Sequence, residues 1–332
     1  MSLRDVHVAV LGGGSWGTTV ASLAAANATT TLWARDPQTV AEINDRHRNT
    51  RYLANLPLDR PLRATGDLSE AVWDADVVVA GVPSSAMRAT MEKIGPAIRH
   101  WVPIVSISKG LELGSRLAMT EVIGQELPGH PLGVLAGPNL AREVLAGYAA
   151  AAVVAMPDEQ LAASLQNVFS ARNFRVYTST DVRGCELGGA LKNVMAIAVG
   201  MGEGLGVGDN TRAAVFTRAL AELTRLGAAL GGQERTFSGL TGVGDLMATC
   251  ASPMSRNRTV GVELGKGRTI SEVLAAMNQV AEGVKSAPTV IELGEMHNID
   301  MPIACEVAAV VAGERTAREA YRGLVRRAPG AE

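Results

Sequence analysis

The chain has 332 residues, 47% of them hydrophobic and 19% charged, with 31 Lys and Arg against 33 Asp and Glu. That length buries a sizeable core and suits two domains, and the composition excludes a disordered chain. A formal net charge of −2 excludes a protein that coats nucleic acid or an acidic membrane through overall charge, while leaving room for a local anion pocket.

The N-terminal stretch Met1–Gly12 carries Asp5 and turns to glycine after a strand-length apolar run, unlike a signal peptide. Its final part, Val6–Gly12, reads as a first strand, Trp16–Asn27 as a helix and Thr29–Ala34 as a second strand. Asp76–Pro83, Pro103–Ser108, Gly133–Gly137 and Ala150–Met156 follow as further β-branched or apolar runs, and Phe174–Ser179 is the candidate to close the series. Continuous apolar strands separated by helices indicate an α/β unit with a mostly parallel, doubly wound sheet covered on both faces. The texture changes after Asp181. Thr211–Leu226, Ile270–Met277 and Pro302–Ala312 show helical periodicity and no strand run reappears, so an all-α second domain is expected over 181–332, after a first domain over 1–180.

Uncharged stretches such as Val144–Pro157 fall short of the ~20 residues that span a bilayer, and a cytoplasmic protein without membrane insertion is expected. Cys185, Cys250 and Cys305 stand far apart and are odd in number, which reads as reduced thiols. His7, His47, His100, His130 and His297 show no ligand spacing, so no metal is expected.

Gly12-Gly13-Gly14-Ser15-Trp16-Gly17 is a G-x-G-x-x-G run directly after the first strand and opening the first helix. In that setting Gly12 allows the tight turn and Gly14 lets the backbone approach a pyrophosphate. Gly17 permits close packing, and the helix N-terminus offers unsatisfied N–H groups. About 20 residues further on stand Arg35 and Asp36, an arginine suited to a ribose 2′-phosphate beside an acid suited to a 2′-hydroxyl. The alternative for this pair is a solvated loop leading into Pro37. Lys109 and Gly137-Pro138-Asn139 follow strands, at the ends where open α/β sheets collect ligands. Lys109 reads equally as a surface lysine, and the second segment as a turn opening a helix.

In the helical half, Lys192 is the sole ionisable side chain between Leu187 and Gly202. A snorkelling lysine is the ordinary alternative. Asp245 lies between a glycine-flanked turn and an apolar run, where a helix cap is its plain role. Ser255 reads as an N-cap followed by Arg256, Asn257 and Arg258. Two guanidiniums in a first helical turn oppose the helix dipole, an arrangement that an anion such as phosphate would complete.

Taken together, GGGSWGT, the N-x-RYL segment at Asn49–Leu53, SISKGLE, GPNLAREV, ELGGALKNVMAIAVGM, TFSGLTGVGDLMATCASPMSRNR and VAEGVKSA resemble the bacterial soluble NAD(P)-dependent glycerol-3-phosphate dehydrogenases over nearly the whole chain. The resemblance implies a Rossmann-like first domain and Lys192 as acid/base. It implies that Lys109, Gly137, Asn139, Lys192, Asp245, Ser255, Arg256 and Asn257 line the substrate. Ser15, Trp16, Arg35, Lys109, Ala141, Arg256, Val280 and Glu282 are implied as cofactor contacts beside Gly12, Gly14 and Gly17. One departure stands out: Asn139-Leu140 replaces the family's usual Ser or Thr followed by Phe, which leaves the side-chain role of position 139 open.

The chemistry of the residues agrees. Reducing dihydroxyacetone phosphate places charge on the C2 oxygen, and an ammonium aimed there stabilises it and supplies a proton. Burial lowers a lysine pKa and makes that proton transferable. Asp245 is expected to orient Lys192. NADP(H) is expected as the preferred cofactor, with NAD(H) also accepted, Arg35 facing the adenosine and Asp36 turned outward. A homodimer through the helical half is expected. The rival readings are a two-domain hydroxy-acid reductase with a carboxylate site, and a non-enzymatic NAD(P) sensor.

Overall fold

Alternate residues of the first strand serve opposite faces of one sheet. In β1 (His7–Leu11), Val8 and Val10 join one buried cluster while Ala9 and Leu11 join another, as expected of a strand covered on both sides. The structure, a computed structural model, describes residues 5–277 and 281–326. Among these, β1 is followed by β2 (Thr29–Trp33), β3 (Arg63–Thr65), β4 (Val77–Ala80), β5 (Ile104–Ser106), β6 (Leu132–Ala136), β7 (Ala150–Ala155) and β8 (Phe174–Ser179). They form one sheet in the order β3-β2-β1-β4-β5-β6-β7-β8. Every neighbouring pair is parallel except β6 and β7, where Leu135 opposes Val154 in antiparallel register.

The helices of this part are α1 (Ser15–Ala25), α2 (Pro37–Arg46), α3 (Thr50–Leu53), α4 (Leu68–Val72), α5 (Ser84–Ile94), α6 (Met119–Glu126), α7 (Ala141–Leu145) and α8 (Glu159–Phe169). The expected mostly parallel sheet is present, with one additional strand and with several expected runs shortened or shifted, Pro103–Ser108 to Ile104–Ser106 among them. β3 was not anticipated, because three residues are too few to show an alternation. The run Asp76–Pro83 contributes only Val77–Ala80, since Pro83, which lacks an N–H, stands at the N-cap of α5.

The chain divides into two compact units, Met1–Glu186 and Leu187–Glu332. The border falls inside α9 (Val182–Gly204). After it come α10 (Asp209–Ala229), α11 (Glu234–Phe237), a π-type turn Leu240–Gly244, α12 (Asp245–Ala251) and α13 (Arg256–Gly265). They are followed by α14 (Ile270–Ala275), α15 (Glu282–Met296), α16 (Pro302–Val311) and α17 (Ala317–Arg326). Among the described residues no strand follows Ser179, and no helix is long and apolar enough to cross a membrane.

α9 is the axis of the second unit. Leu187, Leu191, Val194, Met195, Ala196 and Ile197 are all fully buried, so the helix is apolar nearly all round, the pattern of a core helix. Four glycines let α13 cross it at backbone contact. An added Cβ at Gly200 or Gly204 would overlap the carbonyl oxygens of Arg258 or Val262, and one at Gly261 or Gly265 would overlap those of Ile197 or Met201. Elsewhere in this unit Glu222 of α10, only 2% exposed, accepts the Ile303 and Ala304 N–H groups of the first turn of α16 at 2.8 and 3.3 Å. Burial pushes its pKa up to about 7, against those two hydrogen bonds.

Candidate active site

The sheet order reverses between β1 and β4, and in open α/β sheets the crevice outside the carboxyl ends at that point is where ligands bind. The glycine loop lies there. Gly12 has φ +130°, and an added Cβ would stand 2.6 Å from the Gly81 oxygen; a Cβ on Gly17 would overlap the Gly12 oxygen. Gly14 is different, with nothing within 4 Å of its missing Cβ. It occupies the N-cap of α1 and supplies no side-chain cap, so the first N–H groups of the helix face space that an anion can use. Asn49, wholly buried, ties the loop down by donating to the Gly13 oxygen and the Thr18 hydroxyl, both at 2.9 Å. Ser15 Oγ donates to the Tyr52 oxygen at 3.3 Å. Trp16 stands edge-on to Phe174 with ring centroids 6.1 Å apart, and its buried Nε1 has no hydrogen-bond partner. Open space at Gly14, an uncapped helix end and an orphaned donor fit a dinucleotide.

At the end of β2 the arginine and the acid differ in their commitments. Asp36 caps α2, accepting from Gln38 N at 3.1 Å and Thr39 Oγ1 at 2.9 Å, and pairs with Arg51 at 3.3 Å. These contacts, the Thr39 hydroxyl first, hold its carboxyl below the usual range. Arg35 is exposed, with no hydrogen bond or ion pair to another described residue. Further along the sheet, Lys109 Nζ donates to the Gly137 oxygen at 3.0 Å, which brings the segments after β5 and β6 together. Two residues on, both polar atoms of the Asn139 amide are buried and lack a partner. Ala141 opens α7, and its oxygen accepts from Thr19 Oγ1 at 3.4 Å.

The second unit holds the remaining residues. Lys192 is 4% and Asp245 2% exposed, and Nζ donates to Asp245 Oδ1 at 2.8 Å and to the Thr249 hydroxyl. Asp245 and Thr249 stand four apart on α12, hence on one face. The glycines around them are what let α12 come this close: a Cβ at Gly188 would overlap the Thr241 oxygen of the π-type turn. Asp245, the first residue of α12, is thus a partner of Lys192. Removing either member of such a buried pair leaves an uncompensated charge.

Asn257 donates to Asn193 Oδ1 at 2.9 Å and accepts from Gly283 N at 3.0 Å. Its amide therefore links α9, α13 and α15. Ser255 caps α13, accepting from Arg258 N at 3.2 Å. Of the two guanidiniums in that turn, Arg258 is neutralised by Glu203 in a two-point contact. Arg256 stays exposed; crowding of its guanidinium pulls its pKa below the ordinary arginine value, with Glu282 opposing. Glu282 opens α15, and Val280 lies outside the described residues. Burial pushes the Cys250 thiol up to about 12, so that neighbour of the lysine is an inert thiol.

Three participants carried no assignment from the sequence. Thr249 has a readable signal, its spacing of four from Asp245. Asn49 had only its place in the N-x-RYL segment. Glu203, more than 50 residues from Arg258, had none.

Comparison with known proteins covers both units. The pattern of the NAD-dependent glycerol-3-phosphate dehydrogenase N-terminus matches residues 7–162, and that of the C-terminus matches 181–322. The chain is 58% identical over 327 residues to a glycerol-3-phosphate dehydrogenase (NAD(P)+) of Sphingopyxis alaskensis, covering 98% of each chain. It is 55% identical over 331 residues to one from Mycobacterium avium, covering 99% of this chain and 97% of that one. The crystal structure of a glycerol-3-phosphate dehydrogenase from Coxiella burnetii superposes with a TM-score of 0.92 at 36% identity, covering 97% of this chain and 99% of that one.

Proposed function

Since the chain belongs to the NAD-dependent glycerol-3-phosphate dehydrogenase family and is an oxidoreductase of that class, we propose that it reduces dihydroxyacetone phosphate reversibly to sn-glycerol 3-phosphate with Lys192 as acid/base. The observation that carries this reading is a buried ammonium held by two acceptors, Asp245 Oδ1 and Thr249 Oγ1. A bound nicotinamide supplies the hydride for C2. Lys192 gives its proton to the C2 oxygen in that direction and takes it back in the other. Asp245 and Thr249 fix the direction of the ammonium, and Asn257 positions α9 through Asn193. Arg256 and the Ser255-capped end of α13 take the substrate phosphate, and Lys109, Gly137 and the Asn139 amide are the further substrate contacts that the family resemblance implies. Gly12, Gly14, Ser15, Trp16, Gly17, Arg35, Lys109, Ala141, Arg256, Val280 and Glu282 hold the cofactor. NADPH is preferred over NADH, because Arg35 is exposed, makes no hydrogen bond or ion pair to another described residue and suits a 2′-phosphate. The product supplies phospholipid synthesis, and the enzyme works in the cytoplasm as a homodimer.

The test is oxidation of NADPH and NADH by the purified protein on adding dihydroxyacetone phosphate, with unphosphorylated dihydroxyacetone as control. Turnover with the phosphorylated ketone and little with the control is expected. No oxidation, or equal use of both ketones, defeats the reading.

A further inference from the structure

Beside the N-terminus of α2 lies an open hollow of about 370 Å³ lined by Asp36, Gln38, Thr39, Glu42, Thr50 and Arg51. It sits beyond the end of β2, where a Rossmann unit meets the adenosine ribose of its cofactor. Two carboxylates line it, and they are not equivalent. Glu42 Oε2 is occupied by the Thr50 N–H and hydroxyl, at 3.0 and 3.1 Å. Asp36 cannot withdraw, because it caps α2, so its negative charge stays at the ribose end whichever cofactor arrives. A 2′-phosphate placed there would be repelled.

Among the described residues Arg51 is the one cation lining the hollow. Its guanidinium contacts Asp36 Oδ2 at 3.3 Å and lies over the Tyr52 ring at 5.4 Å from the centroid, while 65% of the side chain remains exposed. We propose that Arg51 is a specificity-determining residue: it cancels the charge of Asp36 and so allows this chain to accept a cofactor phosphorylated at the ribose 2′ position. This deepens the cofactor preference stated above and rests on it. Arg35 then supplies attraction, and Arg51 removes the repulsion, the two elements by which a site discriminates between related ligands.

The test measures equilibrium dissociation constants for NADPH and NADH by quenching of intrinsic tryptophan fluorescence, without substrate. Four proteins are compared: the parent, Arg51→Ala, Asp36→Asn, and the double variant. Asparagine caps a helix about as well as aspartate, so Asp36→Asn keeps α2. Arg51→Ala is expected to weaken NADPH about tenfold, the effect of one charge contact, and to change NADH less than about twofold. Adding Asp36→Asn is expected to bring NADPH back to within about threefold of the parent. An unchanged NADPH-to-NADH ratio in Arg51→Ala overturns the proposal. So does a double variant as weak as the single one, which would make Arg51 a direct phosphate ligand. A parent without NADPH preference defeats only the cofactor reading, since the effect of Arg51→Ala is scored against the parent's own ratio.

Discussion

Gly14 stands at the N-cap of α1 and Gly261 in the middle of α13, and each lacks a side chain for a different reason. At Gly14 an added Cβ meets nothing within 4 Å, whereas at Gly261 it would overlap the Ile197 carbonyl oxygen. The first glycine keeps space open for something other than the chain; the second lets two helices of the chain touch. The contrast extends to the neighbouring functional groups. In the nucleotide unit Arg35 is exposed and uncommitted and Asn139 is unpaired, so the groups proposed to meet ligands are separable from the core. In the helical unit Lys192, Asp245 and Asn257 are buried and bonded to one another's helices, so the proposed chemistry is built into the core that also holds the fold. Substitutions in the first unit should therefore separate binding from stability, and substitutions in the second should not.

The largest effect is expected at the helix crossing. Gly261→Val should abolish the folded second unit, because backbone contact leaves no room for repacking; circular dichroism and soluble yield read the loss. A melting temperature close to the parent's would mean that α9 and α13 tolerate separation, and the contrast with Gly14 would break.

Lys192→Met comes next. Loss of the proposed acid/base group should lower turnover by ~10²–10⁴ or more. The same change strands Asp245, at a cost of about 3–5 kcal/mol in stability. Adding Asp245→Asn should return much of the melting temperature and none of the turnover. Turnover within about threefold of the parent in either variant would remove Lys192 from the mechanism.

A smaller, purely structural effect is expected at Glu222. Its native carboxyl keeps the proton to about pH 7, against an ordinary 4.5. The group therefore favours the fold fully below pH 4.5, and that contribution is lost as pH rises through 7. A rise of this size is worth about 3 kcal/mol. Melting temperatures at pH 5 and pH 7.5 should differ by several degrees more in the parent than in Glu222→Gln. Equal differences would show that the carboxylate is accommodated charged.

The smallest effect on the fold belongs to Gly14→Ala, which should cost less than about 1 kcal/mol, since alanine is only a poorer N-cap. Its NADPH affinity should nonetheless fall by about tenfold or more, because the methyl group projects into the space for the pyrophosphate. Calorimetry that shows unchanged affinity would place the cofactor elsewhere.

What the sequence by itself determined was whatever is contiguous or periodic. The glycine loop is six successive residues that leave a strand and open a helix, and its three roles follow from local backbone geometry. The sheet was legible because parallel strands are apolar on both faces, and Lys192 because one charge interrupts an apolar helix. The glycine-flanked setting of Asp245 reads by itself as a helix cap, and its pairing with Lys192 is expected only once the resemblance singles out the lysine, whereas the cap at Ser255 is legible from its place before a helical turn. Tertiary structure decided the pairings. Thr249 lies 57 residues from the lysine it contacts and Asn257 lies 64 from Asn193; side chains that far apart meet only once helices have packed. The same holds for Arg256 and Arg258, alike in the sequence. One is left exposed, and the other is neutralised because Glu203 of α9 stands opposite it. Asp36 likewise reads as a ribose ligand or as a helix cap until α2 and Arg51 are in place, since a carboxylate's role is set by the donors around it.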